Sequence, residues 1–320
     1  MIFRDSTPIR DGFGRALVDA AARRPEIVAL TADLSEPTRV HWFAAEFPNR
    51  FYQMGISEND MIGTAAGMAL NGLIPFATTF AVFAVSLAHQ AIRLSVAYNE
   101  ANVKIVCSHG GITVGGDGAT HQAFEDLALM RLVPGMTVVC PCDAKEAYDA
   151  TIAIADYEGP VYMRVGRIAG PIIDQGRSSF ELGKARIVRA GDDVALLANG
   201  IMLAYALEAA ELLEQEGVQA RVINLHTLKP LDEDTVLAAA HECGAVVTVE
   251  EHSVLGGLRG AVAELLSARC PTAVEGVGVN DTFGEAGEPE EMLVKYGLTV
   301  DQILAAARRA VSRRSVVTEA

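Results

Sequence analysis

Basic residues are scarce in this chain of 320: 26 lysines and arginines stand against 41 aspartates and glutamates, a formal net charge of −15. A surface that grips nucleic acid must be basic to meet the phosphates, so a nucleic-acid partner is excluded. Cysteine is sparse too. Cys107, Cys140, Cys142, Cys243 and Cys270 are odd in number and scattered, which makes no disulfide framework. Cys140-Pro141-Cys142 is too tight for a usual zinc pair and has no second pair nearby. All five read as reduced, mostly buried thiols. No apolar run reaches membrane-spanning length, and Met1-Ile2-Phe3-Arg4-Asp5 lacks the apolar run of a signal peptide. A cytoplasmic chain with no membrane partner is expected.

What is present is apolar matter: 50% of the residues are hydrophobic, enough for a large core, and the length suggests two domains. Asp11 to Arg24 has helical spacing, with Phe13, Leu17, Val18 and Ala21 on one face. Short apolar runs at Ile27 to Ala32, Gly72 to Thr78, Val103 to Cys107, Met136 to Cys140 and Val161 to Val165 predict buried strands. Helices are expected from Glu58, from about Ala81 to Tyr98, from His121 to Arg131 and from Asp143 to Tyr157. Residues 168 to 191 lose the periodicity. Strands follow near Val194 to Ala198, Ala220 to Asn224, Ala245 to Val249 and Ala273 to Val277. Between and after them lie helices over Met202 to Gln215, Asp232 to His241, Gly257 to Ala268 and Val300 to Val311, before a frayed tail from Ser312. Strands alternating with helices predict an α/β fold of two domains, each a mainly parallel sheet flanked by helices. The expected bounds are 1–170 and 192–320, with 171–191 as linker. Ligands of such sheets lie beyond the carboxyl ends of the strands, where Asp33, His109 and Arg167 fall.

Gly55-Ile56-Ser57-Glu58-Asn59-Asp60-Met61-Ile62-Gly63 puts one carboxylate among apolar residues at a helix start, with Ser57 as N-cap and Asp60 as a weak capping box. The next turns are nearly all small or apolar, which predicts a buried helix. Acids are common in a helix's first turn because they complement its dipole, so Glu58 is either structural or functional. Gly115-Gly116-Asp117-Gly118-Ala119-Thr120-His121-Gln122 reads two ways as well. Glycine permits close backbone approach to a ligand, Asp117 and His121 can bind hydroxyls, and His121 can move protons near neutral pH. Alternatively the segment is a turn whose Thr120 caps a helix. Gly116-Asp117-Gly118 also starts a signature for magnesium and thiamine diphosphate, which needs an asparagine ligand roughly 25–30 residues on. Val139 to Glu146 holds none, so no metal site is expected on this chain. Paired aromatics such as those in Thr79-Phe80-Ala81-Val82-Phe83 are more often core than ligand-stacking.

Taken in order, Gly-Ile-Ser-Glu58, Thr-Phe-Ala-Val-Phe83, Ser-His109-Gly-Gly and Gly-Asp117-Gly-Ala-Thr-His121-Gln resemble transketolase. So do Leu225 to Asp232 and Val249 to Leu258. The resemblance spans essentially the whole chain but only the C-terminal part of a full-length transketolase. It implies a thiamine-diphosphate-binding pyrimidine domain followed by a transketolase C-terminal-like domain. The chain then looks like one subunit of a split enzyme, needing an N-terminal, diphosphate-binding partner subunit that carries the Mg2+ ligands. A homodimer core within an α2β2 assembly is implied.

An apolar setting favours a carboxyl's neutral, donating form, and by resemblance Glu58 is the catalytic carboxyl that bonds a pyrimidine nitrogen of the cofactor. Phe83 matches the aromatic stacked on the pyrimidine, Phe80 its neighbour and Asp33 an acid near the cofactor. Asp117 and His121 match residues on sugar hydroxyls, His121 with a catalytic part. Arg10, His109 and Arg167 match a phosphate-binding set, to which arginine's forked donors are suited. The implied reaction moves a two-carbon ketol unit from a ketose phosphate to an aldose phosphate. Two positions depart from the family: Pro37 stands where a phosphate-binding serine is frequent, and Ser86 where a tyrosine lines the pyrimidine pocket. The alternatives are a 1-deoxyxylulose-phosphate-synthase-like subunit, a 2-oxoacid dehydrogenase β-like subunit, or a non-catalytic regulatory subunit.

Overall fold

The computed structural model describes residues 6–173 and 180–314. Part of the expected linker (174–179) and most of the expected frayed tail (315–320) lie outside the described residues.

In chain order the strands are β1 (Ser6–Pro8), β2 (Ile27–Thr31), β3 (Phe51–Gln53), β4 (Ile74–Phe80), β5 (Lys104–Ser108), β6 (Thr137–Val139), β7 (Val161–Val165) and β8 (Ala169–Pro171). There follow β9 (Arg186–Arg189), β10 (Val194–Ala198), β11 (Ala220–Asn224), β12 (Thr227–Lys229), β13 (Ala245–Ser253) and β14 (Ala273–Val279). Every residue of β2, β4, β5, β7 and β10 is buried, which is why they read as continuous apolar runs rather than alternating ones. They assemble into a 7-stranded sheet of order β12-β6-β7-β5-β4-β2-β3 and a 5-stranded sheet of order β14-β13-β10-β11-β9. Pairings are parallel except those of the edge strands β12 and β9, and of the separate β1–β8 pair. The fold is the expected α/β architecture.

The departures are tertiary. Strand β9 lies inside the stretch read as linker; none of its four residues is buried and Ile187 is exposed, so the sheet edge shows no apolar run to read. Strand β12 follows the second sheet's β11 in sequence yet closes the edge of the first sheet against β6. The halves also share buried clusters, Ile9, Val139 and Cys142 packing with Ala198, Ile201 and Met202.

Helix 9–23 lies on helix 144–156, and Gly12 makes the contact: a Cβ there would stand 1.9 Å from the carbonyl oxygen of Ala144. Helix Ala144–Asp156 begins on a true cap, Asp143 accepting from the Glu146 N–H at 2.8 Å.

The helix Glu58–Leu70 starts where expected, but Ser57 makes no side-chain cap bond; its carbonyl instead accepts from the Met61 N–H at 3.0 Å. Nor is that helix wholly buried. Glu58, Met61, Ile62, Ala65 and Ala66 face the core, while Gly63, Gly67 and Leu70 stand in the open. The expected long helix to Tyr98 is broken at Ala88 into Ala81–Leu87, a turn at His89–Ala91 and a π-helical turn at Ile92–Ala97. The helix expected from His121 starts only at Asp126. Thr120 therefore caps nothing, and its hydroxyl sits 2.9 Å from His121 Nδ1. Four cysteines are buried and Cys270 is half-buried; all five are free thiols.

Candidate active site

Side chains converge beyond the carboxyl ends of β2, β5 and β7, where a parallel sheet offers its crevice. The chain leaves β2 and β5 through two left-handed residues, Asp33 (φ 60°) and His109 (φ 60°). Non-glycine residues rarely hold that conformation, and where they do, function is the usual reason.

A cavity of about 480 Å³ opens there, lined by Arg10, Glu36, Pro37, Arg39, Phe80, His109, Asp117, His121 and Arg167. All five residues expected to bind a sugar phosphate line this one cavity, together with Phe80. Arg10 donates to the Pro37 carbonyl at 2.9 Å, and its Nη1 is 3.3 Å from His109 Nε2. Arginine can only donate, so His109 Nε2 accepts. The proton is then on Nδ1, which donates to Ser108 Oγ at 2.7 Å. Burial, reinforced by Arg10, Arg167 and Arg39, pushes His109 down to about 3, so the ring is neutral. Burial, then Arg39, pushes Arg10 down to about 10. Arg10 Nε is buried without a partner. The anion-attracting charge of the cavity is therefore arginine charge, with His109 orienting Arg10.

Arg39 was not anticipated. Its Nε pairs with Asp11 at 2.6 Å, and its guanidinium lies 5.8 Å from the Trp42 ring centre. Gly14 makes room, since a Cβ there would meet Arg39 Cβ at 2.6 Å and Trp42 at 2.7 Å. The only sequence signal was a basic residue in the loop after β2. Glu36 was missed as well; it adds a carboxylate at the exposed rim.

Of the cofactor candidates, Phe80 belongs to the first group, Phe83 stacks on it, Glu58 is held by the neighbouring Thr79, and Asp33 is not brought to them. Glu58 is 4% exposed and accepts from Thr79 Oγ1 at 3.3 Å. Among the described residues no cation pairs with it. A buried carboxyl without a counter-charge is costly unless something else satisfies it, which fits a ligand group. Phe80 stacks on Phe83 (centroids 5.8 Å) and on His109 (3.9 Å), and Phe83 meets His121 edge-on at 5.3 Å. Glu58, Phe83 and Asp33 do not line the sugar-side cavity. Asp33 is exposed, its N–H held by Gln53 Oε1 at 2.7 Å. The described residues contain no cluster of histidine, cysteine or carboxylate that could hold a metal ion. Nor is any described helix long and apolar enough to cross a membrane.

Comparisons with known proteins agree along the chain. Residues 5–171 match the family described as transketolase, pyrimidine binding domain, and residues 183–303 the one described as transketolase, C-terminal domain. A protein named as a transketolase C-terminal section from Methanocaldococcus jannaschii is 42% identical over 298 residues, 92% of this chain and 93% of the relative. A 6-deoxy-6-sulfo-D-fructose transketolase subunit from Clostridium sp. is 44% identical over 307 residues, 96% of this chain and 95% of the relative. A solved structure described as a split gene transketolase, inactive β4 tetramer, superposes with a TM-score of 0.90 at 47% identity, covering 96% of this chain and 99% of that one.

Proposed function

The chain belongs to the transketolase family, and we propose that it is the C-terminal, catalytic subunit of a split transketolase. It would move a two-carbon ketol unit between sugars that carry a terminal anion. The observation that carries the reading is a buried carboxyl with no counter-charge among the described residues, Glu58, bonded to Thr79, whose chain neighbour Phe80 lines a cavity with three arginines.

The pyrimidine domain belongs to a family that binds thiamine diphosphate, and the residues present fit that cofactor. When bound, thiamine diphosphate supplies the electron sink for the transferred unit. Glu58 would hold a proton against a pyrimidine nitrogen, with Thr79 fixing its Oε1. Phe83 and Phe80 offer a stacked aromatic face, and Asp33 would be an acid near the cofactor. Ser86, where the family has a tyrosine, is exposed one turn beyond Phe83 and leaves that side open. Arg10, Arg167 and Arg39 would bind the terminal anion by charge-assisted bonds, with His109 holding Arg10 in place. Pro37 offers the cavity no hydroxyl, only its carbonyl to Arg10. Asp117 and His121 would hold sugar hydroxyls, with His121 also able to pass a proton to or from the sugar. The Mg2+ and diphosphate ligands are assigned to the partner subunit.

The division into 1–170, a linker at 171–191 and 192–320 is part of the same proposal, with the end of that linker, β9 (Arg186–Arg189), drawn into the second sheet against β11. So is a homodimer core. Ile56, Leu70, Leu87, Leu94 and Tyr98 are exposed apolar side chains around the first half's helices, and a Cβ at Gly63 or Gly67 would meet nothing within 4 Å. A face of that kind marks an association surface. A split-gene relative is described as an inactive β4 tetramer, which supports self-association of this kind of chain.

Glu58→Gln keeps the volume of the side chain and removes its acid. In the assembled, cofactor-loaded complex, turnover should fall about 10²–10⁴-fold, the usual weight of a positioned acid–base group. Unchanged turnover would reject the assignment of Glu58.

A further inference from the structure

The loop that carries Asp117 and His121 belongs to the first half of the chain, yet its anchors are in the second. At its start, the Thr113 N–H donates to Glu251 Oε1 at 2.7 Å. Glu251 is itself fixed from below, its carbonyl accepting from Arg164 Nη2 at 2.8 Å. At the loop's end, Gln122 Nε2 donates to the Glu285 carbonyl at 2.9 Å and back to the Ile112 carbonyl at 3.4 Å. Just beyond, the Ser253 N–H donates to the Phe124 carbonyl at 2.8 Å. Thr113, Gln122 and Glu251 are all buried.

The glycines of both partners are shaped to this contact. A Cβ on Gly118 would stand 3.2 Å from Ala286 N, and one on Gly115 3.2 Å from the Gly287 carbonyl oxygen. A Cβ on Gly284 would stand 1.8 Å from Gln122 Oε1. Inside the clamped span, the Val114 carbonyl accepts from Arg167, so the anchors that fix the loop also fix one of the three cavity arginines.

We propose that the C-terminal domain sets the geometry of the sugar subsite, with Gln122 and Glu251 as positioning residues for His121, Asp117 and Arg167. The inference rests on the reading of these three as sugar-binding groups. Neither anchor lines the cavity; each acts through the loop backbone. A shift of about 1 Å in a positioned group costs on the order of 100-fold in rate, so anchors that never touch substrate carry kinetic weight.

The test uses the full chain assembled with its diphosphate-binding partner, thiamine diphosphate and Mg2+. Gln122→Met keeps length and volume without the donor, Glu251→Ala removes the acceptor, and Glu251→Gln retains it. Hydrogen–deuterium exchange over residues 112–122, donor-sugar kcat/KM and cofactor affinity are measured for each. Gln122→Met and Glu251→Ala should speed exchange in the loop and lower kcat/KM about 10- to 100-fold. Cofactor affinity should stay within about twofold and Glu251→Gln near the parent, since the loop backbone keeps its acceptor. Unchanged exchange in Gln122→Met overturns the proposal, even if Glu251→Ala fails to fold. So does a kinetic loss matched by an equal loss of cofactor affinity. If the parent complex transfers no ketol unit, the functional reading has failed, and loop exchange alone still decides whether the anchors hold.

Discussion

His109 should make the fold sensitive to acid well above the carboxylate range. In the unfolded chain its imidazole takes a proton near pH 6.5; in the folded one, burial and then Arg10, Arg167 and Arg39 hold it down to about 3. Between those values the unfolded state binds more protons, so stability rises with pH, is fully present above about 6.5 and drains away as pH falls towards 3. Integrating between pH 7 and pH 5 gives a loss of about 2 kcal/mol from this one ring. His109→Gln removes the titrating group and keeps a polar side chain beside Arg10 and Ser108. Urea unfolding of the parent and His109→Gln at both pH values gives four stabilities. The parent's drop from pH 7 to pH 5 should exceed the variant's by about 2 kcal/mol. Equal drops would refute the buried, neutral ring, and with it the assignment of the cavity's charge to the arginines.

Two further outcomes follow from the same geometry. Arg10→Met should raise the KM for a terminally phosphorylated sugar about 10- to 100-fold, the weight of a charged hydrogen bond, and leave an acceptor without that phosphate nearly unaffected; equal effects on both would contradict an anion subsite. Gly12→Ala should destabilise the chain by about 1–3 kcal/mol or more in thermal or urea unfolding, because its methyl would enter the Ala144 carbonyl; a neutral result would mean the two helices pack less closely than found.

The sequence was most legible where one residue's environment repeats along an element. The runs Val161–Val165 and Val194–Ala198 are buried on both faces and end where the apolar run ends. Helix Met202–Gln215 keeps a single buried stripe and was read to the residue. It failed where a distant partner decides. The apolar spacing from His121 is real, for Ala123, Leu127 and Met130 are buried, but Gln122 spends its amide on Glu285 and Ile112, and the helix waits until Asp126. Thr227–Lys229 carries no mark that it belongs to the other half's sheet. The cavity's expected residues were named from the family resemblance. His109 and Arg167 also follow strands and Asp117 and His121 sit by a glycine-rich loop, whereas Arg10, in the first turn of helix Ile9–Arg23, carries no such mark. Arg39 escaped because its place depends on Asp11, Trp42 and the bare Cα of Gly14.

The most direct test of the whole account is a ketol-transfer assay with xylulose 5-phosphate and ribose 5-phosphate, in thiamine diphosphate and Mg2+, run on this chain alone and then with a diphosphate-binding partner subunit. Activity in the mixture and none from the chain alone is the predicted result. Turnover by the chain alone, or none in a mixture that assembles and binds cofactor across a panel of sugar phosphates and sulfonated sugars, would contradict it.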